Sequence, residues 1–331
     1  MEILMKEVKY MAQIEAYQCR NTENEISYTS MEQEGYRPLV VMKFGGTSVG
    51  SAQAIEETID FINHHKKDGK QVIVVVSAMS GVTNSLMEIS HMSLLDDASG
   101  TLEGLKQKHY ETLLTLNIPS LTKLDTKEEI DVLFDELYVD IQNQEMSNLE
   151  REDRILSYGE RLSARLVAVR LGFDGEVVDS SEIITTDASF GNAIIDLYQS
   201  HRQANERLMP LLASNKIPVV TGFIGATNNG KITTLGRNSS DYSAAVIASF
   251  IGAEEVWICK DVYGIYTADP RKDDTAVFIP LMTQDQAMAH LEQVGDTVLC
   301  RKALEQLYGT NIVLKVRSVH DYEDEGTVIW Q

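Results

Sequence analysis

Two short apolar runs constrain this chain more than anything else in it. The first is Val40-Val41-Met42-Lys43-Phe44 and the second is Gln71 to Val76, QVIVVV. The second is continuous and β-branched, which predicts a strand covered on both faces, as in a parallel sheet. Each run ends in a loop of small residues and is followed by a helical pattern. After the first come Gly45-Gly46-Thr47-Ser48-Val49-Gly50, then Ala52 to Lys67 with Ile55, Ile59 and Ile62 on one stripe. Asp68-Gly69 ends that helix. After the second come Ser77 to Asn84 and another helix. Two successive strand–loop–helix units predict an α/β domain with right-handed crossovers. Ligands in such sheets lie beyond the carboxyl ends of the strands, where both loops fall.

The turn at Lys43-Phe44-Gly45-Gly46 suits a phosphate. Glycine lets the backbone approach an anion, a following helix N-terminus attracts it, and Lys43 adds a full charge. A second glycine-rich stretch, Gly225 to Lys231, matches G-x-x-x-x-G-K. It does not qualify as a phosphate loop. That motif needs Ser or Thr next, for magnesium, and then a helix. Here Ile232 follows, and Asn229-Gly230 predicts a hairpin turn.

Composition limits the partners. The 331 residues are 43% apolar, enough for one large or two modest cores. The net charge of −21 argues against nucleic acid, whose phosphates need a basic footprint. Cys19, Cys259 and Cys300 are odd in number and lack CxxC spacing, so no disulfide framework or zinc site is expected. No apolar run reaches the roughly 18 residues of a membrane helix. The N-terminus carries Glu2, Glu7 and Glu15 without a continuous apolar core, which argues against a signal or transit peptide. A cytoplasmic location is expected. Residues 1–37 form an extension: Leu4, Val8, Met11 and Ile14 recur at helical spacing, then 21–35 turn polar. His64, His65, His91 and His109 show no metal spacing and are expected to be solvated or packed.

Further along, Arg151 to Leu171 is helical, with Ile155, Leu162, Leu166 and Val169 as its apolar stripe. Glu160 lies off that stripe beside Ser163 and Ala164. It is either a solvated helix glutamate, which pattern alone favours, or the acid of a pocket that receives an ammonium group. Ile217 to Thr221 is another strand. In Thr234-Leu235-Gly236-Arg237-Asn238-Ser239-Ser240-Asp241 a turn enters a helix, with Ser240 or Asp241 near its N-cap. Arg237 has the fork geometry for a carboxylate. Asp241 can orient a lysine or bind magnesium. Glu255 to Lys260 is a buried strand, and the Asp261 to Arg271 loop can grip a nucleoside, although turn chemistry explains most of it. Strands at Asn311 to Val319 and Thr327 to Trp330 close the chain.

Taken together, these stretches resemble the amino-acid-kinase family, and within it the aspartate kinases. The resemblance rests on Lys43-Phe44-Gly45-Gly46-Thr47-Ser48, Ser77 to Asn84, Gly159-Glu160-Arg161-Leu162-Ser163, Thr221-Gly222-Phe223-Ile224-Gly225, Thr234 to Arg237 with Ser240 to Ala244, and Asp261 to Arg271. It covers residues 39–331. It implies a three-layer αβα sandwich with a mainly parallel central sheet, as in carbamate-kinase-like folds. Residues 38–331 would form the catalytic domain, with nucleotide bound from about residue 225 onward. The reaction implied is phosphoryl transfer from ATP, with Mg²⁺, to the side-chain carboxylate of L-aspartate, early in lysine, threonine and methionine synthesis. By resemblance Lys43, Gly45 and Gly46 hold the ATP phosphates, and Asp241 orients Lys43. Thr83, Glu160, Arg237 and Ser240 hold aspartate. Lys260, Asp261, Tyr266 and Arg271 sit at the nucleotide. Mg²⁺ is expected mainly on the ATP phosphates rather than in a protein site, and a homodimer is expected.

Three positions depart from the family pattern. Asn238 and Ser239 replace two glycines after the arginine. Lys260 replaces a threonine. Thr297, in Gly295 to Arg301, replaces a nucleotide-contacting lysine, a charge that Lys260 is placed to restore. After the closing strand too few residues remain for the ACT domains that aspartate kinases usually carry, so feedback inhibition through such sites is not expected. Two alternatives compete: a kinase for glutamate or an aspartate analogue, and a weakly active nucleotide-binding accessory subunit.

Overall fold

A computed structural model describes residues 36–92, 95–295 and 298–331. The expected helix and linker of the N-terminal extension lie outside the described residues, as does Thr297. The two runs that constrain the sequence form β1 (Leu39–Phe44) and β2 (Gln71–Val76), parallel and in register from Leu39↔Gln71 to Phe44↔Val76. On its other side β1 pairs in parallel with β8 (Glu255–Lys260). β2 pairs with β5 (Ile217–Thr221), and β5 with β3 (Gly175–Val178), again in parallel. Beyond β8 lie β12 (Val313–Ser318), β13 (Thr327–Trp330) and β11 (Leu281–Thr283). β13 runs antiparallel to β12 and parallel to β11, so only this edge pair opposes the other strands.

Strand alternation builds two cores. Val40, Met42, Phe44, Val72, Val74 and Val76 face one way. They pack under α1 (Ala52–Lys67), α2 (Val82–His91), α3 (Leu95–Thr115), α4 (Ser120–Gln142) and α5 (Asn148–Leu171). Leu39, Val41, Ile73 and Val75 face the other way. They meet α6 (Leu197–Ala213), α7 (Ser240–Ile251), α8 (Gln284–Val294) and α9 (Arg301–Leu307). The fold is the expected three-layer αβα sandwich. Helices on both faces explain why the strands carry unbroken apolar runs.

The segment Gly225 to Lys231 is a hairpin. β6 (Ile224–Thr227) pairs antiparallel with β7 (Ile232–Thr234), and Gly230 at the tip has φ +79°. The two join β4 (Thr185–Thr186) in a small separate sheet. β9 (Ile265–Tyr266) and β10 (Phe278–Ile279) form a two-stranded ribbon. Among the described residues no helix is long and apolar enough to cross a membrane.

Candidate active site

A cleft of about 780 Å³ opens at the carboxyl ends of β1, β2, β5 and β8. Its floor is charged. Lys43, next to last in β1, shares a strand face with Val41 and faces the α7 side of the sheet. Asp241 stands in the first turn of α7, where the helix dipole favours an acid. The N-cap is Ser239 rather than Ser240 or Asp241, so Asp241 is not spent as a cap. Lys43 Nζ lies 2.6 Å from Asp241 Oδ1, and Lys260 Nζ lies 3.7 Å from Asp241 Oδ2. Lys43 is 7% exposed and Asp241 4%. Charges that deep are tolerated only when paired. Burial pushes the Asp241 carboxyl up, but Lys43 and Lys260 outweigh it, and the Cys300 backbone adds to them. The net result holds Asp241 below the ordinary carboxylate value. Burial depresses the Lys260 ammonium; Asp241 opposes that and Lys43 adds to it. One carboxylate thus serves two ammonium groups, leaving surplus positive charge at the floor.

The glycine turn covers this floor. A Cβ on Gly46 would lie 2.8 Å from the Ala78 carbonyl oxygen, and the Gly46 carbonyl accepts from Ser80 N–H at 3.0 Å. Only glycine allows that contact between the two strand-end loops. A Cβ on Gly45 would meet nothing closer than Lys43 Nζ, at 3.8 Å. Gly45 therefore presents bare backbone to the space beside the lysine. The helix begins after this turn, at the residue where its apolar stripe predicts it. Residues 46–50 form turns, α1 starts at Ala52, and Ser51 Oγ accepts from Ala54 N–H at 3.2 Å. The amides beside Lys43 belong to the loop and not to α1.

The other end of the cleft carries groups without partners. Glu160 is fully enclosed, contrary to the solvated position that its helical pattern favours. α5 is buried on nearly every side from Ile155 to Ala168, because β3, β5 and the helices α1, α2 and α4 surround it. Glu160 Oε1 accepts from Ala78 N–H at 3.0 Å, while the buried Oε2 has no hydrogen-bond partner among the described residues. Burial pushes this carboxyl up to about 8, against the Ala78 N–H and the charge of Lys43. Gly159 permits the burial: a Cβ there would lie 2.7 Å from Ala78 Cβ. Arg237 is exposed on the loop between β7 and α7, and among the described residues no hydrogen bond or ion pair occupies it. Thr83 in the first turn of α2 and Ser240 at the start of α7 complete this wall. Ser240 packs against Gly222, where a Cβ would come within 2.9 Å of Ser240 Oγ.

Asn238 stands where the family pattern has a glycine and takes φ +60°. Asparagine visits that left-handed region at little cost, so it keeps the backbone path of the glycine it replaces. Gly236 needs glycine outright: φ is +96° and a Cβ would lie 2.6 Å from Asn192 Oδ1.

Two residues that the sequence analysis passed over hold this loop. Asp153 is buried on α5 and accepts from Gly191 N–H (2.8 Å), Thr234 N–H (2.9 Å) and Thr234 Oγ (2.6 Å). A signal for it existed: Asp153 precedes Glu160 by two helical turns and shares its face. Lys302 Nζ donates to Asn192 Oδ1 at 2.6 Å and to the Leu235 carbonyl at 2.9 Å. Nothing in its sequence surroundings marks it.

The cleft lining includes Lys43, Gly45, Gly46, Thr83, Glu160, Arg237, Ser240, Asp241, Lys260 and Asp261. Tyr266 and Arg271 do not line it. Tyr266 packs on Phe278 with ring centroids 5.4 Å apart, and Arg271, 80% exposed, pairs with Asp269. Their loop meets the β9–β10 ribbon rather than the cleft floor.

Residues 38–318 match the model of the amino acid kinase family. Aspartokinase 1, chloroplastic, of Arabidopsis thaliana is 32% identical over 301 residues, covering 87% of this chain and 51% of the relative. The aspartokinase of Chlamydia pneumoniae is 34% identical over 296 residues, covering 88% and 62%. The crystal structure of Escherichia coli aspartokinase III in complex with aspartate and ADP superposes with a TM-score of 0.80 at 30% identity, covering 88% of this chain and 64% of that one. The chain thus spans about half the length of the plant relative and under two thirds of the other two.

Proposed function

The chain belongs to the amino acid kinase family, and from that premise we propose that it is an aspartate kinase, transferring the γ-phosphoryl group of ATP to the side-chain carboxylate of L-aspartate. One observation carries the proposal. An unpartnered carboxylate oxygen on Glu160 and an unpartnered guanidinium on Arg237 share a single cleft with the Lys43–Asp241 pair. A small molecule with an ammonium group and two carboxylates satisfies both ends. The E. coli neighbour, crystallised with aspartate and ADP, supports the same ligands here.

In this scheme Arg237 takes the α-carboxylate, with Thr83 and Ser240 hydroxyls beside it. Glu160 Oε2 takes the ammonium group. The remaining carboxylate is then directed toward Lys43, and it is already ionised at neutral pH, so no catalytic base is required. Both reactants are anionic, and catalysis consists of neutralising and aligning them. Lys43 and the Gly45-Gly46 amides would stabilise charge on the transferring group, and Asp241 keeps Lys43 directed. Mg²⁺ would supply further charge neutralisation and is expected to arrive on the ATP phosphates. The buried acids of the cleft, Asp241 and Glu160, are committed to lysines and to the acceptor's ammonium group, and hard cations otherwise need several oxygen ligands. Lys260 would supply charge near the phosphates, and Asp261 would meet the nucleoside side. Tyr266 and Arg271 would reach nucleotide only through movement of their loop.

We place the enzyme in the cytoplasm, in keeping with its buried free Cys259 and Cys300, and as a homodimer, to be checked by light scattering. The deciding assay is a coupled ADP or hydroxamate measurement with MgATP over a panel of amino acids. Turnover with L-aspartate is the expected result. Turnover with glutamate alone would replace the acceptor, and nucleotide binding without turnover would favour an accessory subunit.

A further inference from the structure

The cleft has a phosphate end and an acceptor end, and one short segment touches both. Val298, Leu299 and Cys300 line the cleft just before α9. Cys300 lines the cleft together with Asp241, the carboxylate that holds Lys43 and Lys260. Two residues on, Lys302 spans the two acceptor-side loops through Asn192 Oδ1 and the Leu235 carbonyl. Its ammonium also lies 5.8 Å from the Tyr242 ring centroid, on the residue after Asp241.

Backbone contacts pin the start of the acceptor-side loops: Ala193 N–H donates to the Thr234 carbonyl and Leu235 N–H to the Phe223 carbonyl. Asp153 fixes Gly191 and Thr234, and Ser243 fixes Ser239 by donating from both its backbone N–H and its hydroxyl to the Ser239 carbonyl. Between those anchors Gly236 and Asn238 both take positive φ, and Arg237 sits between them. Lys302 adds a side-chain tie at the Leu235 carbonyl, just before Gly236, and it comes from the nucleotide side.

We propose that the Cys300–Lys302 segment couples the two ends of the cleft, with Lys302 as a positioning residue through which a bound nucleotide raises affinity for the acceptor. Phosphate drawing Lys43 and Lys260 away from Asp241 alters what Cys300 meets in the cleft. The position of Lys302, and with it the presentation of Arg237, follows. Coupling of this kind is reciprocal: acceptor must tighten nucleotide by the same factor. The inference rests on the aspartate kinase assignment for its choice of ligands.

The test is calorimetric titration of the full chain with L-aspartate, with and without MgADP, in wild type, Lys302→Met and Lys302→Arg. In the wild type MgADP is expected to tighten aspartate by about fivefold or more, within the usual range of such couplings. Lys302→Met should bring the factor below about twofold, with ADP affinity in the absence of acceptor unchanged, and Lys302→Arg should restore part of it. No coupling in the wild type, or full coupling in Lys302→Met, overturns the proposal. So does a fall in both affinities and in Tm together, which is the mark of a merely structural lysine. A wild type that binds glutamate and not aspartate overturns the acceptor assignment instead, and the same titration with glutamate then decides on Lys302.

Discussion

The two ends of the cleft are built by opposite means. At the phosphate end Lys43 comes from β1, a strand flanked by neighbours on both sides, and its ion pair with Asp241 is enclosed by strand and helix. At the acceptor end Arg237 stands on an exposed loop with positive φ on either side, and Glu160 keeps an unpaired oxygen ready. On the proposed assignment, charge that meets every substrate alike is placed on the rigid sheet, and charge that selects one substrate is placed where a few loop residues can change it.

The sharpest way to break that contrast is at Lys43. Lys43→Ala should lower kcat on the order of a thousandfold, the scale of losing one preorganised group that meets charge developing in the transition state. The circular dichroism spectrum should be unchanged, because Asp241 keeps Lys260 at 3.7 Å. A variant with near-normal kcat would remove Lys43 from the chemistry. Arg237→Ala should act differently. Loss of a charge-assisted carboxylate contact, about 2 kcal/mol, should raise the acceptor KM by about thirtyfold and the ATP KM by no more than about fivefold, the size of the proposed coupling. Equal changes in both constants would mean that the two ends are not separable.

Glu160 gives the contrast a pH dependence. Burial holds its carboxyl near 8 in the free protein, so at pH 7 it is mostly neutral. An ammonium group needs the ionised form, so acceptor binding must release a proton below pH 8. The sign follows: affinity rises with pH, by at most about tenfold per unit, and levels off above about 8. The folded protein bears the opposite cost. Its raised pKa means that this group's contribution to stability declines as pH rises from about 4.5 toward 8. A profile of acceptor KM between pH 6 and 9 checks this, and Glu160→Gln should flatten it. A flat wild-type profile would show that Glu160 does not meet the ammonium group.

What was legible in the sequence divides along the same line. The apolar runs around Lys43 and through Val76 carried the sheet, because strands buried on both faces leave little choice of residue. The hairpin at Asn229-Gly230 was legible from turn chemistry alone. Burial of Glu160 was not, since periodicity describes one helix face and α5 is surrounded by several elements. Lys302 was not legible either. Its partners are the carbonyl of Leu235 and the side chain of Asn192, 67 and 110 residues away. The start of α1 at Ala52 was legible from the stripe of Ile55, Ile59 and Ile62, but the contact of Gly46 with Ala78 and Ser80 was not, because it joins two loops distant in sequence.

Lys260 tests whether the phosphate end has been altered in this chain. It lines the cleft and shares Asp241 with Lys43, where the family pattern has a threonine. Its side chain is 22% exposed and opens on the cleft, so its pairing is weaker than that of Lys43. Lys260→Thr should raise the ATP KM by about fivefold, the scale of one partly screened charge contact near 1 kcal/mol, with acceptor KM unchanged. An ATP KM within about twofold of wild type would mean that Lys260 only balances Asp241.

The smallest effect is expected at Asn238, and it isolates backbone from side chain. Asn238→Gly keeps the left-handed conformation at φ +60° and removes only the amide. Glycine gains ease in that region but frees the unfolded chain, and the two effects nearly cancel, to within about 0.5 kcal/mol. If Asn238 serves only to turn the loop, acceptor KM and the preference for aspartate over glutamate should both stay within about twofold of wild type. A change of tenfold or more in that preference would show the amide in contact with the acceptor. Specificity would then extend beyond Arg237 and Glu160 to one of the two residues, Asn238, at which this loop departs from its family pattern.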